Sequence, residues 1–170
     1  MVDSKSCLAT KCSRRINRIS KSISSTELDE FEFVEGNDNM IRHATIADAS
    51  RIAEILIFTK RMNYRTIFQN DKVSFGEMQV YPLAQNYIDN SDELNGIWVY
   101  DDEFVKGVIH HDGKQIVELY VDSFFENQGI GSKLIKYAIE QLDCDFLWVL
   151  EKNINAIRFY QRHGFVITEE

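Results

Sequence analysis

A chain of 170 residues is long enough for one domain with a substantial core and too short for two of ordinary size. Apolar residues at 44% and charged residues at 27% exclude the wholly disordered, collagen-like and membrane-embedded classes. The 27 acidic against 19 basic residues give a formal charge of -8, which repels a phosphate backbone and argues against nucleic acid as a partner.

The three cysteines, Cys7, Cys12 and Cys144, form no CxxC pair and no Cys/His cluster. Neither a disulfide framework nor a zinc site is indicated, and a reducing, cytoplasmic compartment is expected. No apolar run reaches the roughly 18 residues of a membrane span.

The start of the chain is unlike the rest. Residues 1–26 carry Lys5, Lys11, Arg14, Arg15, Arg18 and Lys21 against Asp3 alone, whereas residues 27–39 carry six acids and no base. Residues 1–39 therefore read as an extension, either disordered or holding a weak amphipathic helix on Leu8, Cys12, Ile16, Ile19 and Ile23. A Ser-rich, Arg-containing, acid-poor start also resembles an organellar transit peptide, which is the alternative to the cytoplasm. The folded domain is expected over residues 40–170.

Within it, Met40–Ala44 is extended, and Thr45 with Asp48 caps a helix through Ile46, Ala49, Ile52, Ile55 and Leu56 that ends near Lys60. Residues 62–73 show no clear period and are expected to form a substrate-facing loop. A second helix follows over Phe75–Ile88, interrupted by Pro82. From Gly96 the pattern turns to strands: Ile97–Tyr100, a turn at Asp101-Asp102, Val105–His110, a turn at His111-Asp112-Gly113, and Gln115–Asp122. The last of these is nearly continuous in β-formers, as expected of a central strand. Leu134, Ile135, Ala138, Ile139 and Leu142 then mark a helix, Phe146–Leu150 a buried strand, and Asn153 opens a helix that Gly164 ends before a strand at Phe165–Thr168.

The chemistry concentrates where the Gln115–Asp122 strand runs into Glu126-Asn127-Gln128-Gly129-Ile130-Gly131-Ser132 and then a helix. Glycines permit a tight turn, and a helix N-terminus offers unpaired N–H groups at a positive dipole end. Such a turn cradles a diphosphate, unless it is a tight connection with no ligand. A Walker A loop is excluded because Lys133 follows Gly131-Ser132 in the wrong order. A dinucleotide fingerprint requires glycine where Leu134 stands, and the turn lies too late in the chain for the βα units such a domain needs, although Glu151 ends the next strand at about the distance of a ribose-binding acid.

Val117–Asp122, the Gly129-Ile130-Gly131 turn with Leu134, and Asn153-Ile154-Asn155-Ala156-Ile157-Arg158-Phe159-Tyr160 with Gly164-Phe165 together resemble the GNAT superfamily of acyl-CoA-dependent N-acetyltransferases. Ile41–Thr45 with Asp48 resembles the start of such domains. The resemblance covers residues 40–170 and implies an α/β (α+β) fold with a mixed, mostly antiparallel sheet flanked by helices and a splayed central strand pair. The family's last strand, which inserts between the two before it, has no counterpart in this chain: it is missing, supplied by a partner, or replaced by a different pairing.

The resemblance also implies roles. The backbone of Leu119, Tyr120 and Val121 pairs with the pantetheine arm. Glu126, Asn127, Gln128, Gly129, Ile130, Gly131 and Ser132 surround the diphosphate, Glu126 standing where the family has Gln or Arg. Asn153 and Ala156 meet the acyl-CoA arm, and Tyr160 protonates the departing thiolate. Acetyl-CoA is then the co-substrate, no metal is needed, and the partner is a small-molecule or peptide amine, with a homodimer as one assembly allowed.

Proton accounting adds Glu118. A lysine-like ammonium has a pKa near ~10.4 and must lose a proton before attack. Glu118 shares a strand face with Tyr120, opposite Leu119 and Val121, and is the candidate base, its plainer role being a cation anchor or a surface carboxylate. The plain reading of Tyr160, Trp98 and Trp148 is packing, that of His110-His111 a solvated hairpin tip, and that of Cys144 a small buried residue. Three functions follow in order: an N-acetyltransferase acting by direct transfer, a non-catalytic acyl-CoA-binding or regulatory module, and an interaction domain whose turn binds nothing.

Overall fold

The computed structural model describes residues 16–21 and 40–169. In chain order its strands and longer helices begin with β1 (Ile16–Lys21), β2 (Ile41–His43), α1 (Ala49–Phe68), α2 (Val80–Asp89), β3 (Ile97–Asp102), β4 (Phe104–Asp112) and β5 (Gln115–Val121). They continue with α3 (Ile130–Gln141), β6 (Phe146–Leu150), α4 (Ile154–Arg162) and β7 (Phe165–Glu169). The chain divides into two compact units, Ile23–Asp145, and Met1–Ser22 together with Phe146–Glu170. Among the described residues no helix is long and apolar enough to cross a membrane.

The contiguous unit is an antiparallel meander in the order β2, β3, β4, β5. Strand alternation gives its sheet two apolar faces. Val99 and Val108 face a core with Ile52, Ile55 and Leu56 of α1 and Tyr87 of α2. Their neighbours Trp98 and Gly107 face α3, Trp98 against the Tyr137 ring at 5.2 Å and Gly107 against Ile130 and Leu134. Both faces are thus covered by helices, and β5 is the last strand of this meander.

Thr45 and Asp48 cap the turn that leads into α1: the Asp48 carboxylate accepts from the Thr45 amide at 2.8 Å and from its hydroxyl at 2.9 Å. Arg42 adds two 2.8 Å bonds to Asp48 and reaches Asp101. These bonds, those from Arg42 first, hold the Asp48 carboxyl down at about 2.

Helix α1 runs to Phe68 and ends at Gln69 in a left-handed conformation, so the expected loop over residues 62–73 is not there. Lys72–Glu77 forms a π-helical turn, held to α1 by Arg61, which donates to the carbonyls of Ser74 at 2.8 Å and Met78 at 2.6 Å. Sequence period did not reveal this turn because Arg61 reaches it through side chain to backbone bonds, which leave no apolar spacing to read. The second helix begins at Val80, not Phe75, and Pro82 lies in its first turn, where a missing N–H costs little.

The discontinuous unit corrects the reading of the N-terminal extension. Ile16–Lys21 is a strand, not a helix or a disordered tail, and it lies between β6 and β7, antiparallel to both. Ile19 is fully buried and Asn17 nearly so, two positions apart as one strand face requires. The Arg18 guanidinium lies 4.5 Å over the Phe146 ring, and the Thr168 hydroxyl donates to the Arg18 carbonyl at 3.3 Å. The strand expected between the last two is therefore present and comes from the opposite end of the chain. The transit-peptide residues other than 16–21 lie outside the described residues.

Candidate functional site

In the contiguous unit, β5 leads through Ser123–Phe125, a single 3-10 turn, into Glu126–Gln128 and Gly129. The Asp122 carboxylate caps this turn, accepting from the Phe124 amide at 2.9 Å, and its other oxygen takes a 2.6 Å bond from Arg51 of α1. Arg51 also donates to the Val105 carbonyl at 2.9 Å and to Glu54 at 2.6 Å, tying α1 to the end of β5.

The turn requires left-handed backbone twice, at Asn127 (φ 61°) and Gly129 (φ 80°). A Cβ on Gly129 would meet nothing within 4 Å, so the space over the start of α3 is open. The amides of Ile130 and Gly131 open a twelve-residue helix, at the end where intrahelical bonding has not begun. Asn127, Gln128 and Glu126 are exposed, which leaves the Glu126 carboxylate in water rather than pressed on an anion. Gly107 seats the other side of this helix start: a Cβ there would lie 3.0 Å from Ile130 Cγ2 and from Leu134 Cδ1.

Beside the turn is a groove of about 380 Å³. Its walls include Phe58 and Met62 of α1 and Phe124, with carboxylates from Glu54, Asp122 and Glu126.

Glu118 does not line that groove. It lies on the α1 face of β5 with Tyr120, while Leu119 and Val121 take the α3 face, and its carboxylate receives a 2.5 Å bond from the Lys60 ammonium. Lys60 and Glu118 are 17% and 19% exposed, and the ammonium is 5.9 Å from the Tyr120 ring centre. Opposite Glu118 across the ladder is His110, which belongs to β4 and is half-buried. The solvated hairpin tip expected for His110 is therefore corrected: the turn is at Gly113-Lys114, and burial holds the His110 imidazole below its ordinary range. Burial first, and the Glu118 charge second, push the Tyr87 hydroxyl above its usual value.

The discontinuous unit carries the remaining predicted residues. The Asn153 carbonyl oxygen accepts from the Ala156 amide at 3.3 Å and caps α4. Tyr160 is buried on α4, its ring edge-on to Phe159 at 5.2 Å and to Phe165 at 5.9 Å. Cys144, in the contiguous unit, is a free buried cysteine whose thiol burial pushes up to about 11, which makes it a poor nucleophile. Among the described residues no group of His, Cys, Asp and Glu is gathered as for a metal ion.

Lys60, Arg51 and Gly107 escaped the sequence reading. Each acts through a partner more than 20 residues away, so only a pairing pattern across elements could have indicated them.

A family model for the acetyltransferase (GNAT) domain matches residues 93–167. The probable spermine N(1)-acetyltransferase of Bacillus subtilis subsp. natto is 32% identical over 77 residues, 42% of this chain and 47% of that protein. The chain spans about half the length of the curated relatives it matches. Among solved structures, a PaiA N-acetyltransferase from Thermoplasma acidophilum in complex with coenzyme A is 19% identical with a TM-score of 0.58, covering 75% of this chain and 89% of that one. PH1933 from Pyrococcus horikoshii is 26% identical with a TM-score of 0.56, covering 76% and 90%.

Less than half of the chain, residues 93–167, matches the GNAT acetyltransferase domain, and the fold is that of the GNAT structures. The family model spans β3 to β7, so the GNAT signal includes both the glycine turn and the α4 helix, while β1 lies outside it.

Proposed function

We propose that this protein is an N-acetyltransferase that moves an acetyl group from acetyl-CoA directly to a primary amine. The observation that carries the reading is the start of α3: a strand runs through a left-handed glycine, on which a Cβ would meet nothing within 4 Å, into the first amides of a twelve-residue helix. A diphosphate is held by such amides without a basic side chain, because the N–H groups and the helix dipole both favour an anion.

The residues fit that co-substrate. In this reading Gln128–Ser132 take the diphosphate and the Leu119 and Val121 backbone takes the pantetheine arm. When bound, acetyl-CoA supplies the acyl group as an activated thioester. Glu118 receives the acceptor's ammonium and draws off its proton, and Tyr160 returns a proton to the thiolate as the C–S bond breaks and the C–N bond forms.

We favour a cationic aliphatic acceptor of the polyamine kind. The curated relatives are spermine acetyltransferases, and the groove beside the turn alternates carboxylates with Phe58, Met62 and Phe124, a surface suited to ammonium groups joined by methylenes. The second reading, a module that binds acyl-CoA without catalysis, draws support from Lys60, whose ammonium already sits on Glu118.

The test is thiol release from acetyl-CoA across a panel of amines, with Tyr160→Phe in parallel. Amine-dependent release that falls at least roughly tenfold in the variant is expected for loss of a general acid. Coenzyme A raising the melting temperature without release by any amine would leave the binding module, and no shift in melting temperature would remove both readings.

A further inference from the structure

We infer that Lys60 is a built-in occupant of the acceptor's ammonium site and sets how tightly an amine must bind to displace it. This rests on Glu118 being the residue that receives the acceptor, as proposed above.

The ammonium of Lys60 is already seated there. Its Nζ lies 2.5 Å from Glu118 Oε1 and 5.9 Å from the centre of the Tyr120 ring, a carboxylate and an aromatic face of the kind that hold a substrate ammonium. Both partners are more than four-fifths buried, so the pair is less screened by water than a surface pair.

The groups packed around Glu118 come from every adjoining element, and Lys60 of α1 is the cation among them. Tyr87 of α2 keeps its proton, because burial raises it, and is neutral. His110 of β4 is held neutral by burial, with the charges of Glu118, His111, Asp112 and Lys60 also acting on it. A second ammonium brought to Glu118 would therefore face Lys60 directly, the cation already bonded to that carboxylate.

Displacement needs only a side chain to move. The lysine's four-carbon stem is flexible, whereas α1 is fixed beside it by Arg61, bonded to the carbonyls of Ser74 and Met78, and nine residues earlier by Arg51, bonded to Val105 and Asp122. An incoming amine exchanges one ammonium for another at Glu118. Weakly held monoamines lose this competition, and amines with further contacts win it.

The experiment is calorimetric titration of 1,4-diaminobutane into the wild-type protein, Lys60→Met and Lys60→Arg, each with and without saturating coenzyme A. Removing the competitor is expected to tighten diamine binding in Lys60→Met by roughly tenfold, while Lys60→Arg, which keeps a cation on Glu118, stays within about threefold of wild type. Should Lys60→Met not fold, Lys60→Gln removes the same charge. Binding that is unchanged or weaker without the lysine charge overturns the inference and makes Lys60 a structural partner of Glu118. Thiol release, measured on the same proteins, separates the two questions: tighter diamine binding without release leaves this inference standing and removes the acetyltransferase reading, whereas release with unaltered diamine binding does the reverse.

Discussion

The two units are built from the same kinds of strand and helix, yet they differ in how they are assembled. In the contiguous unit, β3, β4 and β5 follow one another and pair with their sequence neighbours. In the discontinuous unit, the middle strand pairs residues near the chain's start with residues far along it: Ile19 lies opposite Leu147 on one side and Ile167 on the other. Local turns alone can therefore register the first unit. The second closes a long loop before any of its ladder bonds form, so it depends on one short strand that supplies both neighbours at once.

Deleting residues 1–39 breaks this comparison most sharply. The middle strand goes, and with it the burial of Ile19 and two rows of backbone bonds, a loss of at least roughly 5 kcal/mol to that unit. Hydrogen exchange should show β6 and β7 losing protection while β3 and β4 keep theirs; retained protection in β6 and β7 would mean that those strands do not need β1.

Ile19→Ala tests the same strand more gently. The side chain is fully buried, and truncation should cost about 2–4 kcal/mol by urea denaturation. Ser20→Ala at the neighbouring position, where the hydroxyl meets Thr168 at the half-buried surface, should cost well under about 1 kcal/mol.

Gly107→Ala perturbs the contiguous unit where α3 meets the sheet. The new Cβ would stand 3.0 Å from Leu134 Cδ1 and from Ile130 Cγ2, the second fixed to its own Cβ and unable to swing away, so the expected cost is about 1–3 kcal/mol. Because the Ile130 Cγ2 methyl is carried on the Cβ at the first position of α3 and yields only if the helix start moves, the rise in melting temperature produced by coenzyme A should shrink as well.

A modest, pH-dependent effect is expected at the start of α1. The Asp48 carboxyl is held at about 2, chiefly by Arg42, against 3.8 for the free group. A depressed carboxyl stabilises the fold above the unfolded value and loses that contribution as pH falls through the folded one. Asp48→Asn should therefore cost roughly 1–2 kcal/mol at pH 7, discounted for the part-exposed guanidinium. The gap to wild type should narrow between pH 4 and pH 2, and a constant gap would assign the effect to packing instead.

The meander and the turn were legible because their signals are local. Val105–His110 and Gln115–Asp122 alternate or run in β-formers between turn residues, and Gly129 stands where φ is positive. Asn153 and Gly164 marked the two ends of α4 for the same reason, one as a cap and one at φ 84°. The end of α1 was misread because Met62–Phe68 is helical without an apolar period, its course fixed by Arg61 and by Arg65, which bonds Asp71 at 3.0 Å. His110 was misread because two histidines beside a Gly turn look exposed, whereas the strand continues to Asp112.

The amino-acid sequence by itself determined most element types from Met40 onward, though not the end of α1, together with the glycine turn at the mouth of α3 and the likeness to the GNAT family, because each rests on residues a few positions apart whose backbone preferences act alone. Tertiary structure decided that Ile16–Lys21 is a strand and that Lys60 sits on Glu118. Ile16, Ile19 and Ile23 are spaced as on a helix, and only pairing with β6 on one side and β7 on the other makes Ile16–Lys21 a strand; likewise a lysine's ammonium finds its carboxylate through the packing of α1 on β5, which no local preference encodes.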